Sequence, residues 1–196
     1  GVVGLAYLLL KRNICQGFGM DCNPELIAAA QNNTAKLGFS DRFALHTGEL
    51  ADTRFLENLR MEASPVQLVM ANPPWRLVGS GRLPATEARR KALFGDKGTF
   101  PLFASAASSL LEEDGRFACI ISPDRLQDML AALNGAGLTP YLLQYIHKQK
   151  TSPATFVLIE ARKGAHAKPS VAEPIALYGP ERFFTLESLA FCPFLR

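Results

Sequence analysis

Two kinds of run alternate along the chain. Residues 1–10, GVVGLAYLLL, are apolar and helix-competent, and Lys11-Arg12-Asn13 closes them with basic residues suited to a helix C-terminus. Residues 15–20 read as a short strand that ends on Asp21. Asn23-Pro24-Glu25 is then a helix start, with Asn as N-cap, Pro at the first position and an acid in the first turn. That helix is expected to reach Lys36 with Leu26, Ile27, Ala30 and Leu37 as its apolar stripe, and Gly38 caps its end. A strand over 42–46, a poorly defined helix over 52–61 and a strand over 66–71 follow. Beyond a glycine-rich stretch come an apolar helix over 100–111, a strand over 115–121 and a helix to Asn134 with Ser122-Pro123 as its start. The β-rich runs 140–147 and 154–162 flank the polar stretch 148–153, which predicts an antiparallel hairpin. A short strand over 175–178 and an amphipathic segment over 185–194 end the chain. This order predicts an α/β fold with a mostly parallel sheet, right-handed crossovers and an antiparallel edge at the C-terminal hairpin. No internal repeat is visible, and a single domain over 1–196 is expected.

The most informative stretch is Asn72-Pro73-Pro74-Trp75. It follows Val66-Gln67-Leu68-Val69-Met70-Ala71, a run that reads as a strand buried on both faces. The first proline has no N–H for a sheet ladder, so the strand stops there. Each residue before a proline is pushed towards extended geometry, so Asn72 and Pro73 are held stiffly. The result is a rigid tip carrying an amide, carbonyls and an aromatic ring. In open α/β sheets, ligands bind at the carboxyl ends of strands. The Asn72 side-chain oxygen and the Pro73 carbonyl can both accept hydrogen bonds from one amino group. Trp75 offers a face on which a base can stack.

Composition adds little by itself. A net charge of +3 permits a nucleic-acid partner without requiring one. The basic charge is concentrated locally: Arg76, Arg82, Arg89, Arg90, Lys91 and Lys97 face only Glu87 and Asp96 within 76–97. Six minus two gives +4, which suits an arm that holds phosphates around a target base. Cys15, Cys22, Cys119 and Cys192 lack metal-ligand spacing and read as buried free thiols of a reducing compartment. His46, His147 and His166 have no ligand spacing and receive no role, so no metal is expected. No apolar run approaches the roughly 20 residues that span a bilayer, and a cytoplasmic monomer with no membrane association is the expectation.

On these residues the chain resembles class I S-adenosylmethionine-dependent methyltransferases of the amino-group type, whose signature is Asn/Asp/Ser-Pro-Pro-aromatic. Within them it most resembles the bacterial tRNA(Val) adenine-N6 methyltransferases. The likeness extends through GVVGLA, Asp21, Gly48-Glu49-Leu50, the basic segment to Arg89-Arg90, Glu113-Asp114-Gly115-Arg116 and Tyr178-Gly179-Pro180. It implies S-adenosylmethionine as cofactor and tRNA as partner. Carried over residue by residue, Asn72, Pro73, Pro74 and Trp75 would form the catalytic tip. Asp21 would bind the cofactor ribose, Cys22 would lie against its adenine, and Glu49 would sit near the adenine amino group. Gly1 would close the cofactor's glycine-rich loop, and Asn72 would also border the cofactor. Trp75, Arg76, Arg82, Arg89 and Arg90 would face substrate. The family's first strand and most of its glycine loop would lie before Gly1, so an N-terminally truncated domain is expected.

Two other readings stay open at this stage. A glutamine-amide methyltransferase acting on a protein meets the same problem, an NH2 on an sp2 carbon, and its family also uses Asn-Pro-Pro-aromatic. The +4 segment favours a polyanion instead. A non-catalytic RNA-binding protein on a methyltransferase fold is the third reading, against which the intact tip argues.

Overall fold

A computed structural model describes residues 2–10, 16–63, 65–77, 86, 93–164, 168–181 and 183–191. The chain divides into two compact units, residues 1–66 and 67–196.

The first unit holds helix α1 (Val2–Leu10), strand β1 (Gly17–Asp21), helix α2 (Pro24–Lys36), strand β2 (Phe43–Thr47) and helix α3 (Thr53–Ala63). Strands β1 and β2 pair in parallel, with Asp21 opposite Thr47 at their carboxyl ends. Leu5 and Leu8 of α1 bury themselves against Phe39 and Phe43, with Leu9 and Leu45 at the margin. The start of α2 is as expected. The Asn23 side chain accepts from the Glu25 N–H at 2.9 Å, Pro24 opens the helix, and Gly38 follows it with φ +71°. The apolar stripe differs from expectation. Ile27 and Ala30 are buried together with Thr34, whereas Leu26 and Leu37 are 50% and 43% exposed. Thr34 fits the interior because its hydroxyl donates to the Ala30 carbonyl four residues back, at 2.8 Å. Helix α3 is well formed, and Asp52 caps it by accepting from the Phe55 N–H at 3.0 Å.

The second unit is built on a six-stranded sheet. Its elements are strands β3 (Val66–Ala71), β4 (Arg76–Leu77) and β5 (Phe94–Gly95), then helix α4 (Thr99–Leu110) and strand β6 (Leu111–Ile121). A 3₁₀ turn (Pro123–Arg125) leads into helix α5 (Leu126–Gly135). The hairpin of β7 (Leu138–His147) and β8 (Ala154–Lys163) follows, then β9 (Ser170–Val171), β10 (Ile175–Ala176) and helix α6 (Leu186–Phe191). The sheet order is β10-β7-β8-β6-β3, with β9 also on β7. Strands β9 and β10 run parallel to β7, and β8 runs antiparallel to both β6 and β7. The hairpin is therefore present, but its second strand is inserted between β6 and β7 and does not form an edge. Strand β8 earns that central place through Val157, Ile159 and Ala161, each with no exposed surface. Alternate residues of one strand point to one face, so these three line the same side.

Strand β3 departs from its expected burial on both faces. Val66 is buried, Gln67 is exposed, and residues 68–71 are half-buried. Among the described residues its sheet partner is β6 alone, and a strand with one neighbour is covered less than a central one. The start of α5 also differs. The Ser122 hydroxyl donates to the Asp124 carboxylate and makes no capping bond, and the 3₁₀ turn intervenes before the helix.

Candidate functional site

In the first unit, the candidate residues stand at the carboxyl ends of β1 and β2. Asp21 is half-buried, and its Oδ1 accepts from the Asn23 N–H at 2.9 Å. Its carbonyl accepts from the Gly48 N–H at 3.1 Å, which ties the two strand ends together. A carboxylate has about four acceptor positions, so Asp21 has capacity for a diol beyond the Asn23 bond. Glu49 is exposed, and its carbonyl accepts from the Asp52 N–H at 3.1 Å, leading the chain into α3. Cys22 is exposed, not the buried thiol expected from its apolar neighbours. The turn between β1 and α2 lifts it out of the core. Cys119, in contrast, is a buried thiol, and burial pushes its pKa up to about 12. Gly1, Cys15 and Cys192 lie outside the described residues.

In the second unit, the tip follows β3 as the proline pattern requires. Asn72 is exposed, while the Pro73 side chain is among the most deeply buried in the protein. The tip thus has a seated ring and an amide open to solvent. Two contacts hold its backbone. The buried Arg125 donates from Nη1 to the Trp75 carbonyl at 2.8 Å. From the other side Gly95 of β5 lies so close that a Cβ there would stand 2.7 Å from the Pro74 carbonyl oxygen and 2.7 Å from Thr99 Oγ1. Strands β4 and β5 pair in parallel, Arg76 opposite Phe94 and Leu77 opposite Gly95, which brings Gly95 alongside the tip.

The Trp75 ring is half-buried. The edge of Phe156 meets it at a centroid distance of 6.1 Å and an interplanar angle of 74°, and the Arg76 guanidinium lies 5.3 Å from its centroid. The ring therefore carries a cation–π contact from exposed Arg76 on a surface that was read as a platform for a base. Arg76 is the described member of the basic segment beside the tip. Arg82, Arg89, Arg90 and Lys91 lie outside the described residues.

Arg125, Gly95 and Phe156 are the residues that sequence reasoning did not single out. One signal for Arg125 was present. A cation at a helix start opposes the helix dipole, so its presence there calls for a tertiary partner. Among the described residues no group of three His, Cys, Asp or Glu is arranged to hold a metal ion. Among the same residues no helix is long and apolar enough to cross a membrane.

No protein-family model matches the chain. Several solved structures share its fold. A protein from Agrobacterium tumefaciens described as a predicted O-methyltransferase superposes with a TM-score of 0.66 at 19% identity, covering 91% of this chain and 75% of that one. A geranyl diphosphate C-methyltransferase from Streptomyces coelicolor, solved with S-adenosyl-L-homocysteine, gives 0.52 at 11% identity, covering 83% and 68%. These likenesses show a Rossmann-like methyltransferase fold. In sequence the chain is similar to the tRNA1(Val) (adenine(37)-N6)-methyltransferase of two strains of Porphyromonas gingivalis, 32% identical over 130 residues. The match covers 64% of this chain and 49% of each relative, so it spans about half the length of those curated proteins.

Proposed function

We propose that this chain is the core of an S-adenosylmethionine-dependent methyltransferase that modifies the exocyclic N6 amino group of adenine in tRNA. The observation that carries the reading is the tip itself: an exposed Asn72 amide on a backbone seated by buried Pro73 and tied by Arg125. The sequence likeness to tRNA adenine-N6 methyltransferases supports the choice of substrate. The single domain over 1–196 and the cytoplasmic setting belong to the same proposal.

The residues divide into two roles. Asp21 would hold the cofactor through its ribose hydroxyls and Glu49 through its adenine amino group, each offering side-chain oxygens as acceptors. When bound, S-adenosylmethionine supplies an electrophilic methyl group. The tip prepares the nucleophile. The N6 lone pair of adenine is delocalised into the ring, so the nitrogen attacks poorly. Asn72 Oδ1 and the Pro73 carbonyl each accept one of its hydrogens. This favours positive charge growing on N6 and fixes the direction of its lone pair. Such preorganised acceptors stabilise charge that develops during reaction. No strong general base is needed, because the product ammonium is itself acidic. Trp75 and Arg76 hold the base and its phosphates, and the adenine must leave its stack to reach the tip.

The test uses the full-length protein with labelled S-adenosylmethionine and either total tRNA or total protein. Label in RNA, recovered as N6-methyladenosine, is the expected result. Label in protein moves the assignment to the glutamine-amide reaction. In single-turnover assays Asn72→Ala is expected to lose at least about 100-fold in rate, the scale of one removed transition-state acceptor, with folding retained. A wild-type rate in that variant overturns the acceptor role of the tip.

A further inference from the structure

We propose that Arg125 is the positioning residue of the tip, holding it by the Trp75 carbonyl and thereby fixing where the Asn72 amide stands. The inference rests on the reading of Asn72 given above.

Arg125 is 4% exposed. Burying a guanidinium is unfavourable unless its donors are satisfied, and here they are divided among different elements. Nε donates to Asp128 Oδ2 on α5 at 2.8 Å, and Nη1 donates to the Trp75 carbonyl at 2.8 Å. The flat face of the guanidinium lies 4.5 Å from the Phe100 ring centroid on α4. One planar group thus joins the tip to two helices. Asp128 keeps 61% of its side chain exposed, so water can solvate it without Arg125. The Trp75 carbonyl, by contrast, receives the Arg125 bond from 50 residues away and on the half-buried side of the tip.

The tip passes that constraint on. Two consecutive prolines lie between Trp75 and Asn72, each with its φ angle fixed by its ring. A shift at the Trp75 carbonyl therefore has few soft torsions in which to dissipate before it reaches Asn72. Gly95 limits the same backbone at the Pro74 carbonyl. The tip is held on two sides, at adjacent residues, by partners 21 and 50 positions away in sequence (95 − 74 and 125 − 75). Displacement of a reacting group by about 1 Å can slow a reaction on the order of 100-fold.

A purely structural role predicts something different. If Arg125 only staples the 3₁₀ turn to the core, its loss lowers stability and the rate per folded molecule stays constant. Arg125→Lys separates the two. Lysine keeps the charge, as a compact ammonium on a flexible stem, but has neither the fork nor the flat face. Trp75 is the one tryptophan of residues 1–196, so with any tryptophan elsewhere in the full-length protein replaced by phenylalanine, its fluorescence reports the tip without any methyl transfer.

The experiment uses the full-length protein and compares wild type, Arg125→Lys, Arg125→Ala, Gly95→Ala and Asn72→Ala. For each, the single-turnover rate with tRNA, the KM for tRNA, far-UV circular dichroism and acrylamide quenching of Trp75 are measured. Arg125→Lys is expected to slow methyl transfer about 10- to 100-fold, with KM and circular dichroism unchanged and with Trp75 more easily quenched. Gly95→Ala, which displaces the tip without touching Arg125, is expected to do the same even if Arg125→Ala does not fold. A wild-type rate and wild-type quenching in Arg125→Lys, or a rate that falls only with the folded fraction, overturns the positioning role. If Asn72→Ala keeps its rate, the acceptor reading fails and the positioning role in catalysis fails with it. Raised quenching in Arg125→Lys would then still show that Arg125 holds the tip.

Discussion

The strand ends of the first unit and the tip of the second are built in opposite ways. At β1 and β2 the fixing contacts are short-range. Asp21 is bonded by a backbone N–H two residues on, Asn23 caps at the same spacing, and Asp52 caps three residues on. Beyond the parallel ladder of β1 and β2, the Gly48–Asp21 backbone bond joins the two strand ends. At the tip the fixing contacts come from far along the chain: Gly95, Arg125 and Phe156 all approach residues 74–75. On the proposed roles, a ligand-binding carboxylate can tolerate a locally built, solvent-facing mount, since it adjusts to what it binds. An acceptor pair that directs a lone pair needs a mount that does not adjust.

The widest separation between the regions lies in their thiols. Cys22, next to Asp21, is exposed, and Cys119, in the strand beside β3, is buried with a pKa pushed up from 9.0 to about 12. An unfolded chain releases the Cys119 proton from pH 9 upward, while the folded chain retains it to about 12. The stabilisation is therefore complete below pH 9 and is lost as pH rises towards 12. Its slope is about 1.4 kcal/mol per pH unit at most. Urea unfolding of wild type and Cys119→Ala between pH 8 and 11 should show this difference in slope. Equal slopes for wild type and Cys119→Ala would mean that the interior beside β3 does not hold its thiol in the neutral form.

Next in size is a pair of glycine substitutions. A Cβ on Gly95 meets a backbone carbonyl at Pro74, which has nowhere to turn. A Cβ on Gly48 meets the far end of the Phe55 ring, with Cζ at 2.5 Å, and a half-buried side chain can swing aside about its Cα–Cβ bond. Gly95→Ala should lower stability by about 1–3 kcal/mol and shift Trp75 emission, whereas Gly48→Ala should stay below about 1 kcal/mol with emission unchanged. Chemical denaturation followed by fluorescence checks both. The reverse order would show that the tip is the softer of the two regions.

The same division explains what could be read from sequence. Caps, strand ends and the hairpin depend on residues within a few positions of one another, and Asn23-Pro24-Glu25, Gly38 and the 148–153 turn were legible for that reason. The proline tip was legible because proline fixes its own geometry. The apolar stripe of α2 was partly misread, since periodicity cannot say that Thr34 satisfies its hydroxyl within the helix and enters the core in place of Leu37. The insertion of β8 beside β6 depends on pairing that no local pattern encodes. Arg125 was half legible: a cation at a helix start called for a tertiary partner, but no local pattern names that partner, which is 50 residues away. Basic charge drew attention to 76–97, yet the arginine that grips the tip is a buried one outside that segment.

The smallest expected effect tests whether the first unit is as local as its bonds suggest. Asn23→Ala removes the side-chain acceptor for the Glu25 N–H, and loss of such a cap typically lowers stability by about 1 kcal/mol. Asp21, however, is bonded by the Asn23 backbone N–H, which alanine retains. The variant should therefore unfold slightly earlier while its affinity for S-adenosylmethionine, measured by calorimetry on the full-length protein, stays at the wild-type value. Asp21→Ala should keep the cap and lose affinity. If Asn23→Ala instead weakens cofactor binding at equal folded fraction, the carboxylate depends on the whole start of α2. The mount at Asp21 would then be a coupled one, closer in kind to the tip than its short-range bonds imply.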